Sequence, residues 1–409
     1  MLIATIIILI AATVGAYVFG RMKAGGWENK KIRLTARPGH YGMYTLIKTT
    51  FPAWILLMLV LLLKTTRLFD TPGVAVLAGC ALLMAIGAIM ANKQLSPLYN
   101  ARIVVERHIR YLLIASSLIS ILTTVGIVLS ILFEAIRFFS DVNLFHFLTG
   151  TSWNPDTAFL HGAGREGEMA AEPEFGSVPI FAGTFMITII ALCVAVPVGL
   201  YAAIYLSEYA NTRIRKTFKP ILEILAGIPT VVYGFFAALT VSPLVVEAAE
   251  FFGLEADYTN ALAPGIVMGI MIIPFVSSLS DDVISSVPQS LREGGLALGT
   301  TRSETIKRII LPAALPGIIS AILLAISRAV GETMIVVMAA GLRPNLTWNP
   351  LEGMTTVTVR IVDALTGDQE FSSLETLSAF GLGLVLLVFT LCLNLVSTII
   401  IRKYRQIYE

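Results

Sequence analysis

The chain has 409 residues, of which 56% are hydrophobic and only 14% charged, and its mean hydropathy is +0.81. Soluble domains run at roughly 45–50% apolar and about 25% charged residues, so this composition excludes a soluble globular enzyme, a disordered chain and a coiled coil, and leaves an integral membrane protein. The 29 Lys and Arg against 27 Asp and Glu give a net charge of +2, which offers no electrostatic footprint for nucleic acid.

A membrane-crossing helix takes about 20 mostly apolar residues. Nine stretches meet this, at 2–20, 46–63, 72–91, 111–133, 178–205, 219–246, 259–279, 312–341 and 377–401. The expected fold is therefore an all-α polytopic membrane protein. The first stretch opens Met-Leu-Ile-Ala with no basic segment before it, which reads as a retained helix and not a cleaved signal. Segments 21–45, 92–110, 207–219 and the tail after 401 are rich in Lys and Arg, whereas 247–258 carries only acids and 134–177 is mainly acidic. By the positive-inside rule the basic segments are cytoplasmic, which puts the N-terminus outside and the C-terminus in the cytoplasm. The short loop 64–71, with Lys64, Arg67 and Asp70, is the one mildly basic segment assigned outside.

The first three spans, residues 1–110, form an N-terminal membrane extension whose role the residues do not reveal. The informative side chains lie in the six spans that follow. Cys80, Cys193 and Cys392 fall in apolar runs and read as small hydrophobes. His40, His108, His146 and His161 are scattered, and without a CxxC or Cys/His cluster neither a metal nor a cofactor is expected. Pro197, Pro229 and Pro274 fall within spans and predict kinks or breaks. Gly265 and Gly269 form a GxxxG that favours close helix packing. Glu223 is expected at the membrane interface or paired with Arg213 or Arg215, and Asn394 in an interhelical hydrogen bond. The long outside loops, 134–177 and 342–376, carry Trp153, Phe175 and Trp348, to which a soluble receptor could dock, and 161–174 has the composition of a flexible loop.

The loop at 280–311 holds two helix starts. Ser286 with Gln289 fits a capping box, as does Thr301 with Glu304, and Gly299 between them suits a left-handed helix end. The pattern predicts a short helix, a sharp Gly turn and a second helix running into the eighth span at Pro312. Such an elbow can insert Val287, Leu291, Leu296 and Leu298 into a groove of another protein, rimmed by Arg292, Glu293 and Arg302. A pair of amphipathic helices lying on the membrane satisfies the same pattern.

Span eight places Arg328 and Glu332 four residues apart in an apolar helix, which puts them about 6 Å apart along the axis and on one face. A charge at mid-bilayer costs about 2.5–3.5 kcal/mol, so such residues face a cavity or a partner. One arrangement has Arg328 meeting a passing oxyanion through its planar donors, Glu332 holding it and weakening the anion's hold, and Gly331 admitting a close backbone. The other is a structural ion pair between helices. The pair by itself does not choose among phosphate, sulfate and molybdate.

Glu293-Gly294-Gly295, Gly299, Ile309 and Leu311-Pro312 have the spacing of the EAA loop of ABC-importer permeases, with two glycines where that family carries alanines. Phe181-Ala-Gly183-Thr184, Tyr205-Leu-Ser207-Glu208-Tyr209 and Leu225-Ala-Gly227-Ile-Pro229 extend the resemblance over the permease core, and Ser327-Arg328-Ala-Val-Gly331-Glu332-Thr333-Met334 resembles the PstC-type permeases of the phosphate branch. The likeness covers 111–409 and stops short of 1–110. It implies a six-helix type I permease domain with a coupling loop at 280–311 that docks an ATPase. It also implies a PstA-type second permease, two PstB-type ATPase subunits and a periplasmic phosphate-binding protein in a bacterial inner membrane. The chain has no GxxxxGK[ST] phosphate loop, so ATP hydrolysis is expected on a separate subunit and this chain is expected not to be an enzyme. A permease for another oxyanion and a membrane subunit that senses phosphate without moving it are the rival readings.

Overall fold

The computed structural model describes residues 2–65, 73–155, 173–366 and 373–405. The chain divides into two compact units, Met1–Gly126 and Ile127–Glu409. The sequence places this boundary near 110. The division falls inside the helix Ala101–Asp141.

The first unit holds α1 (Leu2–Asn29), α2 (Pro38–Thr65), α3 (Gly73–Gln94) and the beginning of α4 (Ala101–Asp141). Long apolar runs become helices because lipid offers no partner to backbone N–H and C=O groups. Their packing relies on small residues: a Cβ on Gly87 would lie 2.2 Å from the Lys48 carbonyl oxygen, so α2 and α3 touch backbone to backbone there. The loops at one end are tied together. The Tyr41 hydroxyl donates to the carbonyls of Pro97 and Tyr99 at 2.9 and 3.1 Å, and Tyr44 donates to Gln94 Oε1 at 2.6 Å.

The second unit takes the rest of α4, then α5 (Leu144–Thr149) and a two-residue antiparallel pair, β1 (Trp153–Asn154) with β2 (Glu174–Phe175). Next come α6 (Val178–Ile204), which ends in a π-turn at Tyr205–Tyr209, and α7 (Thr212–Ala226). A crossing made of α8 (Thr230–Phe236), a second π-turn (Ala237–Val241) and α9 (Ser242–Phe251) leads to α10 (Leu262–Ser286). The chain continues through α11 (Gln289–Ala297), α12 (Arg302–Thr305), a third π-turn (Ile306–Ile310) and α13 (Leu311–Val330). It closes with α14 (Met334–Ala339), α15 (Val357–Thr366) and α16 (Leu374–Arg405). Nine helical runs among the described residues are long and apolar enough to cross a membrane, as the sequence leads one to expect.

Several helices run past the expected ends, the fourth over 101–141, and two spans are cut short by a break. The sixth begins at Thr230 and not at 219, because Gly227-Ile-Pro229 interrupts the chain and Pro229 has no N–H to continue a helix. Residues 212–226 thereby become a separate amphipathic helix. The eighth ends at Val330 and not at 341. Pro197 and Pro274, by contrast, sit inside uninterrupted helices.

Helix α10 is the most enclosed of the nine and packs along α6. The GxxxG is the reason. A Cβ on Gly265 would meet Ile190 Cγ2 at 2.6 Å, and one on Gly269 would meet the Ala191 carbonyl oxygen at 2.8 Å. Gly269→Leu is expected to destabilise the protein by about 3 kcal/mol or more, since the backbone of α6 cannot give way as a side chain can. The thermal midpoint of the detergent-solubilised protein checks this, with the open position Gly126→Leu as control.

A second cluster joins α4, α5 and the strand pair. Phe138, Phe147, Trp153 and Phe175 are buried and meet edge to face with centroids 5.5–6.2 Å apart. Trp153 and Phe175, expected from sequence as docking residues, are therefore core residues that no receptor can reach. Trp348 remains, 92% exposed. The stretch 161–174 lies outside the described residues up to 172.

Candidate functional site

The sequence motifs mark two places in the second unit. The first is the break after α13. Arg328 lies in the last turn of that helix, and Gly331-Glu332-Thr333 then leaves helical geometry before α14 starts. Arg328 and Glu332 thus do not share a helix face, and no ion pair joins them among the described residues. The break is stitched by local bonds: Glu332 N–H donates to the Ala329 carbonyl at 3.1 Å, Glu332 Oε1 accepts from Met334 N–H at 3.1 Å, and the Glu332 carbonyl accepts from Thr358 Oγ1 at 2.8 Å. The glutamate carboxylate caps the next helix and does not neutralise the arginine.

Arg328 is left with its charge available. Its side chain is not covered by this chain, its guanidinium forms no hydrogen bond among the described residues, and its Cζ lies 5.8 Å from the centroid of the Phe275 ring on α10. A cation over a ring face is attracted without being neutralised, so the ring fixes the position of the guanidinium and leaves its donors free. Gly331 is exposed, and a Cβ there would find its nearest neighbour, its own helix, at 3.5 Å. The close backbone approach expected at Gly331 is not made within this chain. Beside it, Ser327 Oγ donates to Asn394 Oδ1 at 3.3 Å, the interhelical bond expected of Asn394.

The second place is the elbow formed by α11 and α12. Gly299 has φ +85° and ends α11 in the left-handed region, as its position suggests. The Thr301–Glu304 capping box is present in both directions. The Ser286–Gln289 box is not, because α10 runs on through Ser286, whose hydroxyl bonds back to Val283, and Pro288 starts α11 instead. Gly295 is buried, and a Cβ there would meet Ile309 Cδ1 at 2.7 Å and Thr305 Cγ2 at 3.0 Å, so the two arms close at the glycine. Gly294 faces open space and Glu293 is exposed. Ile309 and Leu311 are half-buried beneath the elbow, and Pro312 is exposed in the first turn of α13.

Of the residues expected to insert into a partner, Leu291, Leu296 and Leu298 are exposed, Leu298 at 86%. Val287 is not: it is buried with Ala203, Ile284, Ile306 and Ile310. Arg292 is not a rim residue either. It turns inward to Glu208, a residue whose bonding the sequence left unread. Gly294→Ala is expected to stabilise the elbow by up to about 1 kcal/mol through helix propensity. Gly299→Ala is expected to cost about 1–2 kcal/mol through the left-handed backbone. Thermal midpoints of the two variants should move in opposite directions.

Below the elbow, α7 is held by charge. Asp281, buried on α10, accepts from Arg215 Nη2 with both oxygens at 3.0 Å and from Lys219 Nζ at 2.8 Å, while Arg215 also donates to Ser285. Of the alternatives for Glu223, a pairing with Arg215 is not made among the described residues, since Arg215 bonds the enclosed acid Asp281. The bond to Asp281 raises the Lys219 pKa above its ordinary value, so the ammonium stays charged throughout the neutral range.

Residues 195–406 match the family model described as binding-protein-dependent transport system inner membrane component, and residues 6–71 match one described as phosphate ATP-binding cassette transporter. The N-terminal extension, outside the resemblance read from sequence, is thus itself matched. A probable ABC transporter permease protein of Bacillus subtilis, YqgH, is 33% identical over 69% of this chain and 86% of its own length. The phosphate transport system permease protein PstC 1 of Mycobacterium bovis is 32% identical over 64% of this chain and 83% of its own. Among solved structures, a bacterial alginate ABC transporter in complex with its pentasaccharide-bound periplasmic protein aligns with a TM-score of 0.49 at 18% identity, over 72% of this chain and 94% of that one. With the family model matching residues 195–406, more than half of the chain, and a relative covered over most of its length, the chain belongs to the inner-membrane permease components of binding-protein-dependent ABC transport systems.

Proposed function

We propose that this permease moves inorganic phosphate into a bacterial cell, lining the path together with a PstA-type second permease. Two PstB-type ATPases would sit on the elbow side and a periplasmic phosphate-binding protein on the other. The N-terminus would be outside and the C-terminus cytoplasmic. The names of the relatives and the match of residues 6–71 support phosphate as the solute. The observation that carries the reading within the chain is Arg328: a guanidinium in the last turn of a membrane-crossing span, with no anionic partner among the described residues, positioned over Phe275 where the helix breaks. An isolated charge in lipid is costly, and a path for an anion is the setting that offsets that cost. One unpaired arginine also suits transport better than a cage of donors, because the solute must leave again. Gly331 and Glu332 would shape the break around the solute.

On the opposite side of the bilayer, Glu293, Gly294, Gly295 and Gly299 would form the surface met by the ATPase, with Leu291, Leu296 and Leu298 entering its groove. Ile309, Leu311 and Pro312 would carry the second arm into the membrane. The test is uptake of radiolabelled phosphate into proteoliposomes holding the four kinds of subunit. ATP-dependent uptake that persists in excess sulfate and molybdate supports the proposal. Uptake of sulfate or molybdate instead would keep the permease and overturn the solute, and binding of phosphate without uptake would favour a sensor.

A further inference from the structure

Both arms of the elbow bond to one residue at the end of α6. Glu208 sits in the π-turn at the end of α6 and is 7% exposed. Its carboxylate oxygen Oε1 accepts from Arg292 Nε at 3.1 Å and from Nη2 at 2.9 Å. The same guanidinium donates to the carbonyls of Val287 at 2.5 Å and Ile284 at 2.7 Å, both at the end of α10 just before the elbow. The second arm takes hold of the other end of the residue. Arg302 donates through Nη2 to the Glu208 backbone carbonyl, and its Cζ lies 5.2 Å from the Tyr209 ring centroid. Glu208 is therefore gripped by both arms at once, the side chain by α11 and the backbone by α12.

The surroundings give this grip a direction. Beneath it, Ala203 of α6, Ile284 of α10 and Ile306, Ile310 and Ala314 of the π-turn and α13 form one buried cluster. The grip holds the π-turn 205–209, and the second arm runs on into the π-turn 306–310; such turns occur frequently at functional sites. Apolar contacts slide readily past one another. A half-buried arginine with four donor contacts does not, because each displaced donor or acceptor would be left unsatisfied.

We infer that Glu208 is the positioning residue that transmits movement of the elbow to α6, so that the end of α6, the end of α10 and both elbow arms move as one body. This rests on the proposed role of the elbow as the ATPase-docking surface. Glu208 itself faces Arg292 and Arg302 and is not part of the exposed docking surface. Removing its carboxylate should thus leave docking and hydrolysis in place and lose the transfer of movement.

Two measurements on the full complex test this. In the first, ATP hydrolysis and phosphate uptake are followed together in proteoliposomes. Glu208→Ala should keep hydrolysis within about twofold of wild type and lower uptake at least tenfold. Glu208→Gln, which retains an acceptor for Arg292, should recover a large part of it. A parallel fall of both activities, or unchanged uptake in Glu208→Ala, would overturn the inference. The second needs no solute. Spin labels at the exposed positions Tyr201 and Ser290, in a background without native cysteines, report the distance between α6 and the elbow. Wild type should give one narrow distribution with and without ATP and vanadate, and Glu208→Ala should give a broad or shifted one. An identical narrow distribution in both proteins would refute the grip even if the solute proves not to be phosphate. Absence of phosphate uptake by wild type, with the distance result as expected, would reject the solute and keep Glu208.

Discussion

Arg328→Ala is expected to lower phosphate uptake about a hundredfold while ATP hydrolysis by the assembled complex changes less than about twofold. A hydrogen bond to a charged group contributes about 1.5–3 kcal/mol, and the fork of a guanidinium can make two of them to one oxyanion. Losing both, with part of the loss made up by water, removes about 3 kcal/mol, and each 1.36 kcal/mol is roughly tenfold in rate. Arg328→Lys keeps the charge and loses the fork, so an intermediate loss near tenfold is expected. The structure separates Arg328 from its sequence neighbour in this respect. Glu332 forms no ion pair with Arg328, and the bond it makes, accepting from Met334 N–H, survives as Glu332→Gln. That variant should therefore transport within about threefold of wild type. Uptake measured over a range of external phosphate decides the matter. Normal transport by Arg328→Ala would remove the arginine from the path and reduce it to a partner of the Phe275 ring.

The nine spans were legible because composition and run length alone define them, and lipid enforces helices wherever an apolar run is long enough. The half of the elbow that depends on local chemistry was legible too: Gly299 and the Thr301–Glu304 box act within four residues of themselves. What the sequence did not disclose depends on partners far along the chain. The break after Val330 hides in a run that reads as continuous helix, and it is fixed by Thr358, which bonds the Glu332 carbonyl from beyond the following loop. Arg292 reads as a rim residue until its partner is known, and that partner, Glu208, is 84 positions away. The Ser286 box failed for a related reason. A helix already in progress competes for the same serine, and α10 extends to it. An acid at the very end of an apolar span, as at Glu208 and at Asp281, was the signal available, since a carboxylate placed there needs a cation from a neighbouring segment.

Asp281 leads to the other large effect. Helix α7 contains no buried residue, so apolar packing does little to keep it in place. Its N-terminus is capped by Asn211 Oδ1, which accepts from Ile214 N–H, and its last turn is touched by the Tyr233 hydroxyl on the Leu225 carbonyl. Between these ends the side-chain bonds to other helices among the described residues are Arg215 and Lys219 on Asp281, with Arg215 also reaching Ser285 and Lys219 also reaching Asp282 at 3.1 Å. The Asp281 side chain is 2% exposed, whereas those of Arg215 and Lys219 are 37% and 29% exposed. Breaking a buried ion pair costs about 3–5 kcal/mol, and the partly solvated cations bring this down to about 2–3 kcal/mol for Asp281→Ala. A loss of that size is enough to let α7 detach locally while the spans stay folded. Amide exchange over 212–226 should then speed up about thirtyfold to a hundredfold, with exchange in α10 nearly unchanged. Asp282→Ala, which removes only the more exposed acid, should have a small effect. The pH dependence follows from Lys219, whose pKa is raised in the folded protein chiefly by its bond to Asp281. A raised lysine contributes its full stabilisation below the unfolded value of about 10.4 and loses it as pH climbs through the folded value. Exchange protection of α7 attributable to Lys219 should accordingly stay constant from about pH 6 to pH 9 and fall only in more alkaline solution. Early loss of protection near neutral pH would show that α7 is held by something other than this lysine. If so, Asp281→Ala and Lys219→Met would differ sharply in their effect on exchange.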